Sequence, residues 1–176
     1  MKHKLLLLYA WFVRSLLFFL PDMPVTMRFR GWLYGLGMKQ HGKDIQITHD
    51  ANIKTLDHMS LGSHIFIGNG TIFLGSGEIV IEDEVLIGPH CIIVSSNHTI
   101  AQASFFYGKG VSGTIKICRG SWIAGNCTIT KDSLLPARSI LAAGSVLTKT
   151  FNEENCIYGG LPAKLIKSLN SQENTI

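Results

Sequence analysis

From Ile47 onward the apolar positions of this chain return every six residues. Aliphatic or aromatic residues open hexads at Ile47, Ile53, Leu61, Ile67, Phe73, Ile81, Ile87 and Ile93, and again at Ile117, Ile123, Ile129, Leu135, Leu141 and Leu147. Four residues after most of these starts the side chain is small: Ala51, Thr71, Gly77, Val85, Cys91, Ser121, Cys127, Ser133, Ser139 and Ser145. Gly or Ala often fills the second place, as at Gly62, Gly68, Gly88, Ala124 and Ala142. A period of six suits neither a helix face nor one long strand. It predicts short strands joined by tight bends, three hexads to a triangular coil, with coils stacked about 4.8 Å apart. The aliphatic residue points inward, and glycine is expected to supply the backbone angles of the corners. The rhythm slips by two residues near Asp57 to Ser60 and at Gly75 to Gly77.

The repeat stops once. "VSSNHTIAQASFFYGKGVSG", residues 94–113, lacks the small residue at the expected places and carries Gly108, Gly110 and Gly113. It reads as a loop, 96–114, pushed out of a coil, and long loops in compact domains are usually functional or disordered. The organisation expected is therefore an apolar, helical segment over 1–44, a β-helix over 45–160 and a C-terminal helix with tail over 161–176. Pro162 suits the first turn of that helix, and both ends would cap the open edges of the stack.

Composition narrows the class. The 176 residues are 46% hydrophobic and 16% charged, a globular composition with a sizeable core. The net charge of +4 is uneven: seven basic residues precede Ile45 (Lys2, Lys4, Arg14, Arg28, Arg30, Lys39, Lys43) against Asp22 and Asp44. With "LLLLYAWFVRSLLFFL", Leu5 to Leu20, this points to an anionic membrane surface; a helix packed on the body of the protein or on an oligomer partner is the equal alternative. No small-x-small cleavage site follows the run, and it is short for a span. No aromatic and basic interleaving speaks for nucleic acid. Cys91, Cys118, Cys127 and Cys156 form no C-x-x-C pair and read as reduced thiols in a cytoplasmic protein, peripheral at the inner face of the membrane if the N-terminus binds there.

The hexads, the closing stretch "VLTKTFNEENCIYGGLPAKLIKSL" and the lead-in "MRFRGWLYGLGMKQHGKDIQI" resemble the hexapeptide-repeat acyltransferases, over residues 25–170. That resemblance implies an all-β, left-handed parallel β-helix, against the usual right-handed crossover. It also implies acetyl-CoA as co-substrate, no metal, and a homotrimer with sites between subunits. The likeness is close to galactoside, maltose and polysaccharide O-acetyltransferases. In them a similar loop begins just after a catalytic histidine, which lands on His98 through "IEDEVLIGPHCIIVSSNH". A sugar hydroxyl needs a base near neutral pH, and imidazole suits that. His90, at "GPHC", is the rival.

The resemblance makes the backbone N–H of Gly125, in "WIAGN", the oxyanion donor. It places Trp122 near the acceptor, where plain packing is an equal reading, and makes Asn97 a residue that orients His98 or the acceptor. Phe105 and Tyr107, with Phe106 between them, would face the acceptor or a neighbouring subunit. Ala142, Ala143 and Thr148 are candidates for the pantetheine arm, and Lys149 and Lys164 for the phosphates of coenzyme A, a solvated surface role being open for either lysine. The function implied is O-acetylation of a saccharide, in surface polysaccharide (O-antigen or capsule) biosynthesis. Alternatives are a xenobiotic (antibiotic) acetyltransferase and a metal enzyme of γ-carbonic-anhydrase type. The last needs three converging histidines, and here only His58 and His64 lie one hexad apart.

Overall fold

A computed structural model describes residues 2–169. The chain forms a left-handed parallel β-helix of about six turns preceded by two helices. Three sheets make a triangular prism. The first face stacks Gln40–His41, Met59–Leu61, Ile79–Ile81, Ile115–Ile117 and Ser133–Leu135. The second stacks Ile45–Ile47, Ile65–Ile67, Leu86–Ile87, Trp122–Ile123, Ile140–Leu141 and Cys156–Gly160. The third stacks Asn52–Ile53, Ile72–Leu74, Ile92–Val94, Thr128–Thr130 and Val146–Leu147. The helix thus begins at Gln40, one strand earlier than the repeat suggests.

All the hexad starts are buried, and like residues stack in register: Ile67 on Ile87, Ile87 on Ile123, Ile123 on Leu141. The small residues face inward beside them; Ala51, Cys91, Cys127 and Ser139 are fully buried. Where the two slips occur, Met59 and Ile79 fill that inner place on the first face. All four cysteines are free; the stacked thiols of Cys91 and Cys127 donate to the carbonyls of Ala124 and Ala142 at 3.2 and 3.1 Å.

The corners correct one expectation. The left-handed position is glycine at Gly70, Gly120 and Gly144, but His64, Glu84, His90, Asn126 and Arg138 occupy it elsewhere. The glycines in the second place of the hexad have ordinary φ and serve close approach instead. A Cβ on Gly68 would stand 2.9 Å from the Gly88 carbonyl carbon, and one on Gly88 2.8 Å from the Gly125 nitrogen.

Helix α1, Lys2–Leu17, lays Ala10, Val13 and Leu17 against the core. Helix α2, Pro24–Gly35, starts with proline at its first turn, as helices favour, and crosses the first strand of the second face. Gly31 makes that crossing close, since a Cβ there would sit 2.0 Å from the Ile45 carbonyl oxygen. Buried Arg30 ties the two helices to the prism. Its guanidinium donates to the carbonyls of Leu17 (3.4 Å), Leu20 (3.1 Å) and Ile47 (2.6 Å) and to Asp22 (3.1 Å). It so satisfies carbonyls left open past the end of α1.

The expected C-terminal helix is absent. Cys156–Gly160 joins the second face and Ala163–Ser168 folds back on it antiparallel, with Gly160 at φ 104 and a cis Leu161–Pro162 bond in the turn. A strand rather than a helix forms because the last parallel strand offers a row of open backbone groups, which a returning strand satisfies. Pro162 therefore sits in a hairpin turn. Residues 170–176 of the expected tail lie outside the described residues.

Candidate active site

The interruption replaces the corner between the third and first faces, in the third coil. It is a short arm and not an irregular loop. Ser96–His98 pairs antiparallel with Gly110–Ser112, aligning His98 with Gly110. The pairing continues from Thr99 to Lys109, and Phe105, Phe106 and Tyr107 are exposed at the tip. Its root is tightly built. The Ser95 hydroxyl donates to the Gly77 carbonyl (3.0 Å) and accepts from the Gly77 N–H (3.1 Å), while the Gly113 N–H donates to the Ser95 carbonyl (2.9 Å). Ser76 and Ser112 share a hydrogen bond of 2.7 Å across the root. Sequence reasoning marked Gly77 only as a small residue; its place between two stacked corners was the signal for the root.

His98 is exposed at the rim, and Asn97 fixes its backbone by accepting the His98 N–H at 2.9 Å. The other histidines divide cleanly. His49 bonds Asp22 (2.7 Å), His64 bonds Asp44 (3.0 Å), His41 bonds the Gly42 carbonyl (3.1 Å), and His3 and His58 flank Asp57. Among the described residues only His90 and His98 have rings with no hydrogen bond or carboxylate. His58 and His64 engage different carboxylates, Asp57 and Asp44, and no three histidines gather among the described residues.

The remaining candidates fall on two edges of the prism. Thr148 and Lys149 follow the third face in the fifth coil, on the same edge as the arm. Lys149 and Lys164 line one cavity of about 340 Å³ with Phe151, Glu153 and Tyr158. Its wall is set by the Phe151–Tyr158 stack, 4.2 Å between centroids, and Lys149 Nζ lies 5.1 Å from the Phe151 ring. Burial pushes the Tyr158 hydroxyl up to about 12, so it stays protonated and donates to the Glu153 carbonyl at 2.5 Å. The sequence reading named both lysines and missed this aromatic pair, whose spacing carries no period.

Gly125, Ala142 and Ala143 occupy the other edge, between the second and third faces, and His90 shares it. Among the described residues the Gly125 N–H donates to no protein oxygen. Trp122 points out from the second face, opposite the arm's edge. It stands in an apolar column, Phe66, Leu86, Trp122, Ile140 and Ile157, each in register with the next. Within one chain, then, His98 shares its edge with Lys149, at one side of the Lys149–Lys164 cavity, while Gly125 and Trp122 lie elsewhere.

No family model matches the chain. A Saccharomyces cerevisiae protein named as an acetyltransferase is 28% identical over 120 residues, 65% of this chain and 61% of its own length. The galactoside O-acetyltransferase of Escherichia coli is 28% identical over 123 residues, 66% of this chain and 60% of its own. The chain thus matches about three fifths of the length of these curated relatives. Among solved structures, the hexapeptide-repeat acetyltransferase of Vibrio cholerae in complex with acetyl coenzyme A superposes with a TM-score of 0.81 at 23% identity, over 96% of this chain and 89% of that one. The maltose O-acetyltransferase of Clostridium difficile gives 0.77 at 23%, over 96% and 90%. A galactoside acetyltransferase in complex with coenzyme A gives 0.81 at 18%, over 99% and 86%. This chain has the hexapeptide-repeat β-helix fold of those acetyltransferases, and it resembles in sequence two proteins that bear the acetyltransferase name.

Proposed function

We propose that the protein is an O-acetyltransferase that moves an acetyl group from acetyl-CoA to a saccharide hydroxyl. One observation carries this: the one long insertion in the repeat among the described residues holds an exposed imidazole without a hydrogen-bond partner, His98, on the edge that carries Lys149. The lysines would meet the phosphates of coenzyme A, with the pantetheine arm running along the stacked coils toward the arm of His98. His98 takes the proton of the acceptor hydroxyl as its oxygen attacks the thioester carbonyl. The tetrahedral oxyanion accepts from the Gly125 N–H. When the carbon–sulfur bond breaks, the coenzyme A sulfur leaves with the proton held by His98, and the acetyl ester remains on the sugar.

His98 and Gly125 are on different edges, so this chemistry needs a second copy. The arm edge of one chain against the other edge of the next makes a head-to-tail contact, which forms a ring where the rotation closes. The apolar column through Trp122 and the aromatic tip of the arm are the surfaces such a ring would cover. A trimer is the closure we infer. The acceptor is carried on a membrane lipid, as a surface-polysaccharide precursor is, in keeping with the outer face of α1. That face exposes Leu5, Leu8, Phe12 and Leu16, while no helix among the described residues is long and apolar enough to cross a membrane.

The test is a panel of sugars with acetyl-CoA, read by mass spectrometry for a product one acetyl group heavier. On the acceptor found, His98→Ala should lower turnover by about 10²- to 10⁴-fold and leave coenzyme A binding near normal. His90→Ala should cost much less. Near wild-type turnover in His98→Ala, or loss in His90→Ala alone, overturns the assignment.

A further inference from the structure

We propose that His3, Asp57 and His58 form a binding site for a zinc-type divalent cation, which clamps the first turn of α1 to the first coil. The inference is independent of the acetyl-transfer reading. The 3₁₀ turn Leu56–His58 sits at the first slip of the repeat, where Leu56 is buried as an anchor. The turn lets two consecutive residues, Asp57 and His58, face the same side. His3 reaches them from α1 and bonds both Asp57 oxygens, at 2.9 and 3.0 Å.

The same distances that make His3 a latch on Asp57 also bring the three residues within reach of one shared cation. One donor atom from each of the three residues lies within 4.8 Å of the others. His58 Nε2 is 3.6 Å from Asp57 Oδ2, too long for a hydrogen bond. Two ligands of a tetrahedral ion, each bonded at about 2.0–2.2 Å, stand ~3.4 Å apart. His58 is therefore already at ligand spacing from the carboxylate, and His3 needs to retreat by only about half an ångström. Two imidazoles and one carboxylate suit a borderline first-row ion, with water in the fourth place. The half-exposed His3, 45% accessible, leaves room for that water. Glu78, a carboxylate that feels the charge of His58, is engaged by Lys39. Pinning α1 at its start would hold its apolar outer face in one orientation.

The experiment is isothermal titration of the full chain with zinc alone, together with thermal melting. We expect one zinc per chain and a melting temperature that rises with zinc. His58→Ala and Asp57→Asn should each weaken binding at least tenfold and abolish the rise. His64→Ala, whose histidine bonds Asp44 instead, should change neither. Should His58→Ala fail to fold, His3→Ala on the exposed first turn must show the same loss. Zinc bound at full affinity by His3→Ala or by Asp57→Asn, or no zinc binding by the wild type, overturns the proposal.

Discussion

Gly77→Ala tests whether the arm's root sets the position of His98. The φ of Gly77 is ordinary, so alanine meets no backbone penalty there. It meets atoms instead: its Cβ would lie 2.0 Å from the Gly113 carbonyl oxygen and 2.5 Å from that of Ser95. Non-bonded atoms rest near 3.5 Å, so one strand of the root must move by about 1 Å or more. Both obstacles are backbone, held by the Ser95 hydrogen bonds, and neither can swing away as a side chain would. Overpacking of this kind costs about 1–3 kcal/mol, which lowers the melting temperature by about 2–12 °C in a chain of this size. The same displacement is passed to His98, and a 1 Å misplacement can cost about 10²-fold in rate. The assay is thiol release from acetyl-CoA with the acceptor identified by the sugar panel, beside a thermal melt. Gly120→Ala is the control. Its φ of 70 makes alanine strained, at about 1–2 kcal/mol, but its corner lies between the first and second faces, away from the arm. It should melt lower and turn over normally. If Gly77→Ala keeps both wild-type turnover and wild-type melting, the arm does not depend on this root and the reasoning fails.

Arg30→Met should destabilise the chain by about 3–5 kcal/mol, because the buried guanidinium holds three carbonyls and Asp22; urea unfolding measures it, and a loss under 1 kcal/mol would count against the clamp. Asp22 carries a pH signature. Its carboxyl is partly desolvated, which alone raises its pKa, but hydrogen bonds from His49 and Asn69 outweigh this and hold it below the usual range. A depressed carboxylate stabilises the fold above the unfolded value of about 3.9, and that stability is lost as pH falls through the folded value. Asp22→Asn should therefore be less stable at neutral pH and flatter in its acid dependence, followed by Trp11 and Trp32 fluorescence; an unchanged acid slope would show that Asp22 is not the group responsible. Phe106→Ser, at a tip side chain 87% exposed, should leave the melting of the isolated chain alone and shift the mass seen by light scattering downward, and an unchanged mass would remove the tip from the interface.

The period of six determined the prism by itself. Each hexad start needs an apolar partner above and below, and stacked short coils bury all fourteen. The break at His98 was legible for the same reason, since a strict repeat makes its own exception visible. The C-terminal hairpin was not. "AKLIKSL" after a proline reads locally as a helix, and only the open edge of Cys156–Gly160, supplied by the coil before it, turned it into a strand. The roles of the basic N-terminal residues were likewise decided in three dimensions. Arg30, Arg28 and Lys39 look alike in sequence, yet they pair with Asp22, Asp44 and Glu78, up to 39 residues away. The edges of the prism also belong to the tertiary structure. A hexad says that a residue sits at a corner, but the count of coils places His98 with Lys149 and sets Gly125 on another edge. Spacing along the chain fixes what is inside, because burial is local to each coil. Which outward groups can act together depends on how coils and copies stack, and a one-dimensional period does not contain that.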